Sequence, residues 1–226
     1  METDDHTADH GAPALATLAQ DAWNLTADRP RTLLGIAGPP GAGKSTLARA
    51  LVEAIGEGAA YLPLDGFHLS NDQLARLSLT SRKGSEPSFD VRGYVALLHR
   101  ILTETADHDI YVPDYDRTLH EPVAARHRVP PTARLVVTEG NYLACDLPGW
   151  RDARRLMAEC WYVQALGEVR QLRLIERQLD GGLTPDGAAA WVATNDGPNG
   201  DLVEKSRRRC DRILSTIGMD MFNYRP

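Results

Sequence analysis

An α/β fold, with a parallel sheet of about five strands and helices on both faces, is predicted by three features of this 226-residue chain. Short apolar runs alternate with stretches of helical period, the order that builds a parallel sheet from strand and helix units. One junction carries Gly38-Pro39-Pro40-Gly41-Ala42-Gly43-Lys44-Ser45, which satisfies G-x-x-x-x-G-K-[ST] between a strand and a helix. Asp65 and Glu139 each close an apolar run and precede a glycine, at the strand ends where ligands of such sheets collect. Together these specify the P-loop NTPase fold.

The elements follow in order. Residues 1–12 are acidic, contain His and lack periodicity, so they read as a flexible tail. Behind Pro13, the recurrence of Leu15, Leu18, Ala22 and Leu25 predicts an amphipathic helix. Leu33 to Ala37 is the first strand, Lys44 to Ile55 the helix after the glycine loop, and Ala60 to Leu64 a second strand ending at Asp65. Ser70 and Gln73 have the spacing of a capping box. Val91 to Thr103 is helical in period and Ile110 to Val112 a short extended piece, while Arg134 to Thr138 is a core strand ending at Glu139. Cys160 to Val163 gives another strand and Glu168 to Leu179 a helix. Thr184-Pro185 starts a further helix by N-cap and N1 preferences, which makes Gly181-Gly182 a hinge. Ile213-Leu214 supplies a late strand. Residues 13–226 are read as one domain, with the lid at about 173–200.

Composition limits the functions available. The chain is 42% hydrophobic and 25% charged, as a globular domain is, and its formal net charge of -6 argues against a nucleic-acid surface. Cys145, Cys160 and Cys210 are odd in number and widely spaced, so they build neither a disulfide framework nor a zinc site, and Cys145 and Cys160 read as core thiols. The N-terminus lacks the basic start and apolar core of a signal peptide, and no segment has the apolar length of a membrane span. The expectation is a cytoplasmic protein with a small-molecule partner, no nucleic acid and no membrane. A homodimer is left open.

The glycine loop carries the chemistry. Gly38, Gly41 and Gly43 allow turns that a Cβ forbids, so the amides of Gly38, Pro39, Pro40, Gly41, Ala42, Gly43, Lys44, Ser45 and Thr46 form a cradle for phosphates, the prolines giving none, at a helix N-terminus. Lys44 is expected to reach the β/γ oxygens and Ser45 to ligate Mg²⁺. ATP with Mg²⁺ is the expected cofactor set, although such loops read phosphate and leave ATP versus GTP undecided. Phosphoryl transfer to an alcohol needs carboxylates to hold the metal and to accept the hydroxyl proton, roles that Asp65 and Glu139 can divide. Arg173 and Arg177 lie four apart on one helix face, where guanidinium groups neutralise charge on the transferring phosphate. His68, Lys83 and Arg117 read first as surface residues, Lys83 also as a contact for an anionic substrate. Arg207-Arg208-Arg209 reads as a solvated helix face.

The loop, Asp65-Gly66-Phe67, Ser88-Phe89-Asp90, Pro113-Asp114-Tyr115-Asp116 with His120, and Glu139-Gly140 resemble the superfamily of uridine kinase, phosphoribulokinase and bacterial pantothenate kinase over roughly residues 30 to 215. The resemblance is closest in detail to uridine kinases. It implies Asp65 as base and metal contact, Glu139 as metal contact, Asp90 for a ribose, and Tyr115 with His120 for a base. The Arg-Lys-Gly before Phe89-Asp90 and the Asn-Asp-Gly-Pro-Asn near residue 195 also resemble a branch named for nucleoside or fructose-transport kinases. One departure is the lid, where the Arg-Gly-Arg of uridine kinases is replaced by Asp180-Gly181-Gly182-Leu183 after Arg177. The expectation is an ATP- and Mg²⁺-dependent kinase acting on a nucleoside, with a sugar or pantothenate-type alcohol as the alternative. The rival of another class is a regulatory or assembly P-loop NTPase. Against it, Asn-Lys-x-Asp and Leu-Ser-Gly-Gly-Gln are absent, and Asp146 to Gly149 matches D-x-x-G only well past its strand end.

Overall fold

A computed structural model describes residues 14–104 and 107–215. The expected tail at 1–12, Pro13 and the end of the expected domain beyond 215 lie outside the described residues. The chain runs α1 (Leu15–Asn24), β1 (Thr32–Ala37), α2 (Lys44–Ile55), β2 (Ala59–Pro63), α3 (Asn71–Arg76), α4 (Val91–Thr103), β3 (Ile110–Asp116), β4 (Glu121–Val129), β5 (Leu135–Gly140), α5 (Trp150–Leu156), β6 (Glu159–Gln164), α6 (Gly167–Asp180), α7 (Pro185–Trp191), α8 (Gly197–Glu204) and β7 (Arg212–Ser215).

β2, β5, β1, β6 and β7 form a five-stranded sheet in that order, parallel throughout. Every residue of β1 and β5 is buried, as their continuous apolar runs require of strands covered on both faces. Alternate residues of β1 serve opposite cores: Leu33 and Ala37 join Leu98, Val136 and Trp150, whereas Leu34 and Ile36 join Leu18, Leu47, Leu51 and Trp161. Each of these leucine, isoleucine and valine side chains stabilises the fold by about 1.5 to 3 kcal/mol relative to exposure. The first core also holds an aromatic group in which Trp150 meets Tyr94, Tyr142 and Phe89. In α1, Leu18 and Ala22 are buried as expected, but Leu15 at the helix start is 40% exposed.

The extended piece expected at 110–112 is longer than its apolar residues suggest. It opens a two-stranded antiparallel sheet of β3 and β4, separate from the main one. β4 was hidden because its exposed and partly buried residues do not alternate and apolar Val123-Ala124-Ala125 is followed by Arg126-His127-Arg128. Its register with β3 shifts between Val112 and Asp114, at Pro113, which has no N–H to give a ladder. The Ser70 hydroxyl caps α3 by accepting from the Gln73 N–H at 3.4 Å, but Gln73 Oε1 accepts instead from Arg76, so only half of the expected box forms. Thr184 caps α7 as expected, accepting from Gly187 N–H at 3.2 Å. Arg207–Arg209 is a single 3-10 turn and not part of a longer helix. Cys145 and Cys160 are buried thiols, as read.

Arg31 joins several of these parts and had no sequence signal. Its guanidinium is 3% exposed and donates to the carbonyls of Ala133 at 2.8 Å, Ile101, Glu104 and Pro130 at 3.1 Å, and Pro131 at 3.3 Å. One buried cation thus ties the start of β1 to the end of α4 and the loop before β5. Arg31→Met leaves those carbonyls without donors and is expected to lower unfolding stability by about 3 kcal/mol or more, measured by urea titration. An unchanged midpoint and slope would show that water replaces the guanidinium without cost.

Candidate active site

β1 delivers the chain into the glycine loop at the carboxyl edge of the sheet. Gly41 and Gly43 have φ of 77° and 98°, and Gly43 takes the left-handed conformation as the N-cap of α2. A Cβ on Gly38 would stand 2.5 Å from the Val163 carbonyl, so the loop can lie against β6 only without one. Lys44, first residue of α2, is buried, and its Nζ donates to the Pro39 carbonyl at 3.0 Å. Desolvation pushes the ammonium down to about 8, with Arg177 and Arg170 acting the same way, although Glu139 and Asp65 oppose the shift.

Ser45 and Glu139 meet as the metal reading requires. Ser45 Oγ donates to Glu139 Oε1 at 3.0 Å, and Tyr61 donates its hydroxyl to the same oxygen at 2.9 Å. Glu139 ends β5 and is 4% exposed. Its carboxyl is held above the usual range, first by burial and then by Asp65, against Lys44, Tyr61 and Ser45. Tyr61 was missed, because a tyrosine within an apolar strand reads simply as core. Among the described residues no group of three or more His, Cys, Asp or Glu could hold a metal ion. A hydroxyl beside one carboxylate is nevertheless the hard-oxygen set that Mg²⁺ uses when phosphates and waters complete its shell. The residues present fit that ion.

Asp65 lies in the turn Leu64–Phe67 directly after β2. Its carboxylate is partly exposed, with Arg117 Nη2 at 3.8 Å. The Asp65 carbonyl accepts from His68 Nδ1 at 2.8 Å. A Cβ on the next residue, Gly66, would collide with the Pro113 carbonyl, so the β3–β4 hairpin is seated directly on the turn that carries Asp65.

α6 lays its arginines over this edge. Arg173 Nη1 donates to the Gly41 carbonyl at 3.1 Å. Arg177, one turn on, is exposed at the mouth of the site, yet its guanidinium is held below its ordinary range, first by desolvation and then by Arg117, while Asp65, Asp196 and Glu139 act the other way. Both arginines share the helix face that their spacing predicts. Arg170 was missed: its carbonyl stands 2.9 Å from where a Gly41 Cβ would be, and its Nη1 lies against Gly200.

The residues implied for the acceptor come together loosely. Asp90 accepts from the Gly93 N–H at 2.9 Å and so caps α4, exposed to solvent. Its N–H donates to the Phe67 carbonyl at 2.8 Å, which brings it beside the Asp65 turn. Tyr115 and His120 both belong to the β3–β4 hairpin. The Tyr115 ring lies 4.9 Å from that of His68, whereas His120 is exposed, at φ 54° in the turn, with its carbonyl accepting from Asn71 Nδ2 at 3.2 Å and from Lys83 Nζ.

The two motifs at 82–84 and 195–199 prove to be one contact. Arg82 donates to the Thr194 carbonyl at 3.0 Å and to Asn199 Oδ1 at 3.4 Å, while Asn195 Nδ2 donates to the Lys83 carbonyl at 2.7 Å. The lid side of this clamp is a π-helical turn, Val192–Asp196, a form that recurs at functional sites. Burial pushes the Asp196 carboxyl up to about 6 against the pull of Arg177.

Among the described residues no helix is long and apolar enough to cross a membrane. No family model matches the chain. It is 36% identical over 199 residues to the Escherichia coli protein YggC, covering 86% of this chain and 81% of that protein. It is 32% identical over 207 residues to a candidate uridine kinase of Schizosaccharomyces pombe, covering 87% of this chain and 88% of the relative. Among solved structures, a candidate fructose transport system kinase from Silicibacter sp. TM1040 superposes with a TM-score of 0.81 at 33% identity, covering 89% of this chain and 99% of that one.

Proposed function

Since this chain belongs to the P-loop kinases of the uridine kinase and phosphoribulokinase family, we propose that it transfers the γ-phosphoryl group of ATP, with Mg²⁺, to an alcohol of a small metabolite. That it is a kinase, an ATP-dependent phosphotransferase, follows from the family itself. The observation that supports the rest is the Ser45–Glu139 bond of 3.0 Å beside the buried Lys44, with Asp65 at the end of the adjoining strand.

In this reading the loop amides and Lys44 hold phosphate, and Ser45 with Glu139 or Asp65 would hold Mg²⁺, which supplies positive charge to the β and γ oxygens. The acceptor oxygen attacks phosphorus as the bond to the ADP oxygen breaks, and its proton passes to the Asp65 carboxylate. Arg177 faces the charge that spreads over the transferring group, and Arg173 steadies the loop through Gly41. Catalysis is then positioning and electrostatics, which suits side chains fixed on strand ends and helix starts.

A nucleoside is the first acceptor reading, resting on Tyr115, His120 and Asp90, with a sugar or pantothenate-like alcohol behind it. The names of relatives span these classes, from a uridine kinase of Halobacterium salinarum to a pantothenate kinase of Mycolicibacterium gilvum. ADP release measured with ATP, Mg²⁺ and a panel of nucleosides, sugars and pantothenate is expected to depend on one acceptor class. ATP turnover at the same rate without any acceptor would favour the regulatory or assembly NTPase instead.

A further inference from the structure

Resting on the kinase reading, and setting the pantothenate-type alternative ahead of the neutral nucleoside, we infer that the acceptor carries an anionic group, a carboxylate or a phosphate, received by Lys83 and Arg117. Among the described residues neither cation is closely paired: Arg117 has one long pair with Asp65, and Glu121 acts on Lys83 only from beyond ion-pair distance. The two hydrogen bonds of Lys83 Nζ go to neutral oxygens, Asn71 Oδ1 at 2.6 Å and the His120 carbonyl, and Lys83 enters no ion pair among the described residues. An ammonium has three N–H donors, so one remains. The neighbouring acid, Glu121, turns its carboxylate to the Asn71 N–H at 3.0 and 3.2 Å. Among the described residues Arg117 has one ion-pair partner, Asp65 at 3.8 Å and beyond hydrogen-bond reach, with Arg177 near enough to act on its charge, and its side chain makes no hydrogen bond there.

A continuous run of contacts links Lys83 to the turn that carries Asp65. His68 bonds the Asp65 carbonyl at 2.8 Å, its ring meets Tyr115 at 4.9 Å, and Lys83 Nζ stands 5.1 Å from the Tyr115 centroid. Arg117 follows Tyr115 on the hairpin and reaches back to Asp65, closing the other side. His68 feels both cations: burial chiefly holds its ring below the ordinary range, and Lys83 and Arg117 push the same way against Asp65. Lys83 is also preorganised, since the Asn195 amide holds its carbonyl at 2.7 Å and Arg82 is pinned to the lid. Fixing a cation in advance reduces what an anion must order on binding. Asp90, the carboxylate implied for neutral hydroxyls, is already engaged as the cap of α4.

The test measures ADP release with ATP and Mg²⁺ against uridine and fructose as neutral acceptors, pantothenate and gluconate as carboxylates, and fructose 6-phosphate as a phosphate. The inference expects the carboxylate or the phosphate arm to exceed the neutral arm by about 10-fold or more in kcat/KM, and the better arm identifies the group. Lys83→Gln and Arg117→Gln are each expected to raise the KM of that acceptor by about 10- to 150-fold, as lost charged hydrogen bonds do, with the ATP KM unchanged as a check on folding. A neutral acceptor turned over best, or an anionic preference that survives both variants, overturns the inference and leaves the kinase reading intact. ATP turnover indifferent to every compound overturns the kinase reading, and the inference with it.

Discussion

Lys44→Ala is expected to lower kcat/KM by about 10³-fold or more while the protein unfolds at or above its wild-type temperature. The ammonium is buried, and its hydrogen bond goes to the Pro39 carbonyl of its own loop. Without a phosphate beside it, burial makes that charge a cost, and desolvation holds the ammonium down to about 8. Phosphate oxygens of the nucleotide offset this cost, so the residue serves binding and transfer and contributes little to the fold. Thermal unfolding and steady-state kinetics on one preparation separate the two effects. Near-wild-type turnover in a folded variant would remove the loop from the chemistry.

Asp65→Asn is expected to lower kcat by about 10²-fold or more with the KM for ATP nearly unchanged. An amide keeps the shape of the side chain and cannot take the acceptor's proton. Glu139 does not replace it, because its carboxylate is buried and committed to Ser45 and Tyr61. Single-turnover rates with and without acceptor locate the loss in transfer. If the ATP KM alone changes, Asp65 is a metal contact and the proton goes elsewhere.

The nucleotide end of the molecule was legible in sequence because it is built locally. Gly38 to Ser45 lie in one run, and Asp65 and Glu139 fall at the ends of buried strands whose apolar character is itself the signal. Helices α2 and α4 begin and end where their periodicity places them. The acceptor end was less legible because it is assembled from exposed pieces distant in sequence. β4 has no apolar alternation, and Asn71 meets His120 across 49 positions. Asp90 shows why a motif residue does not by itself declare its work, since the same carboxylate that resembles a ribose contact is also what an N-cap requires. The 82–84 and 195–199 segments were visible as motifs, but only packing shows that they grip each other, 112 residues apart at Arg82 and Thr194.

The seat of the β3–β4 hairpin on Gly66 has a bearing on descent. The hairpin shares no ladder with the parallel sheet and meets the Asp65 turn where any side chain on Gly66 would strike Pro113. Its outward residues are therefore free to drift, whereas its anchorage is not. In the proposed reading, a lineage could exchange the portion that would select the alcohol and keep the portion that would handle phosphate, provided the glycine after the acid survives. Such barter would leave one nucleotide chemistry serving unlike metabolites.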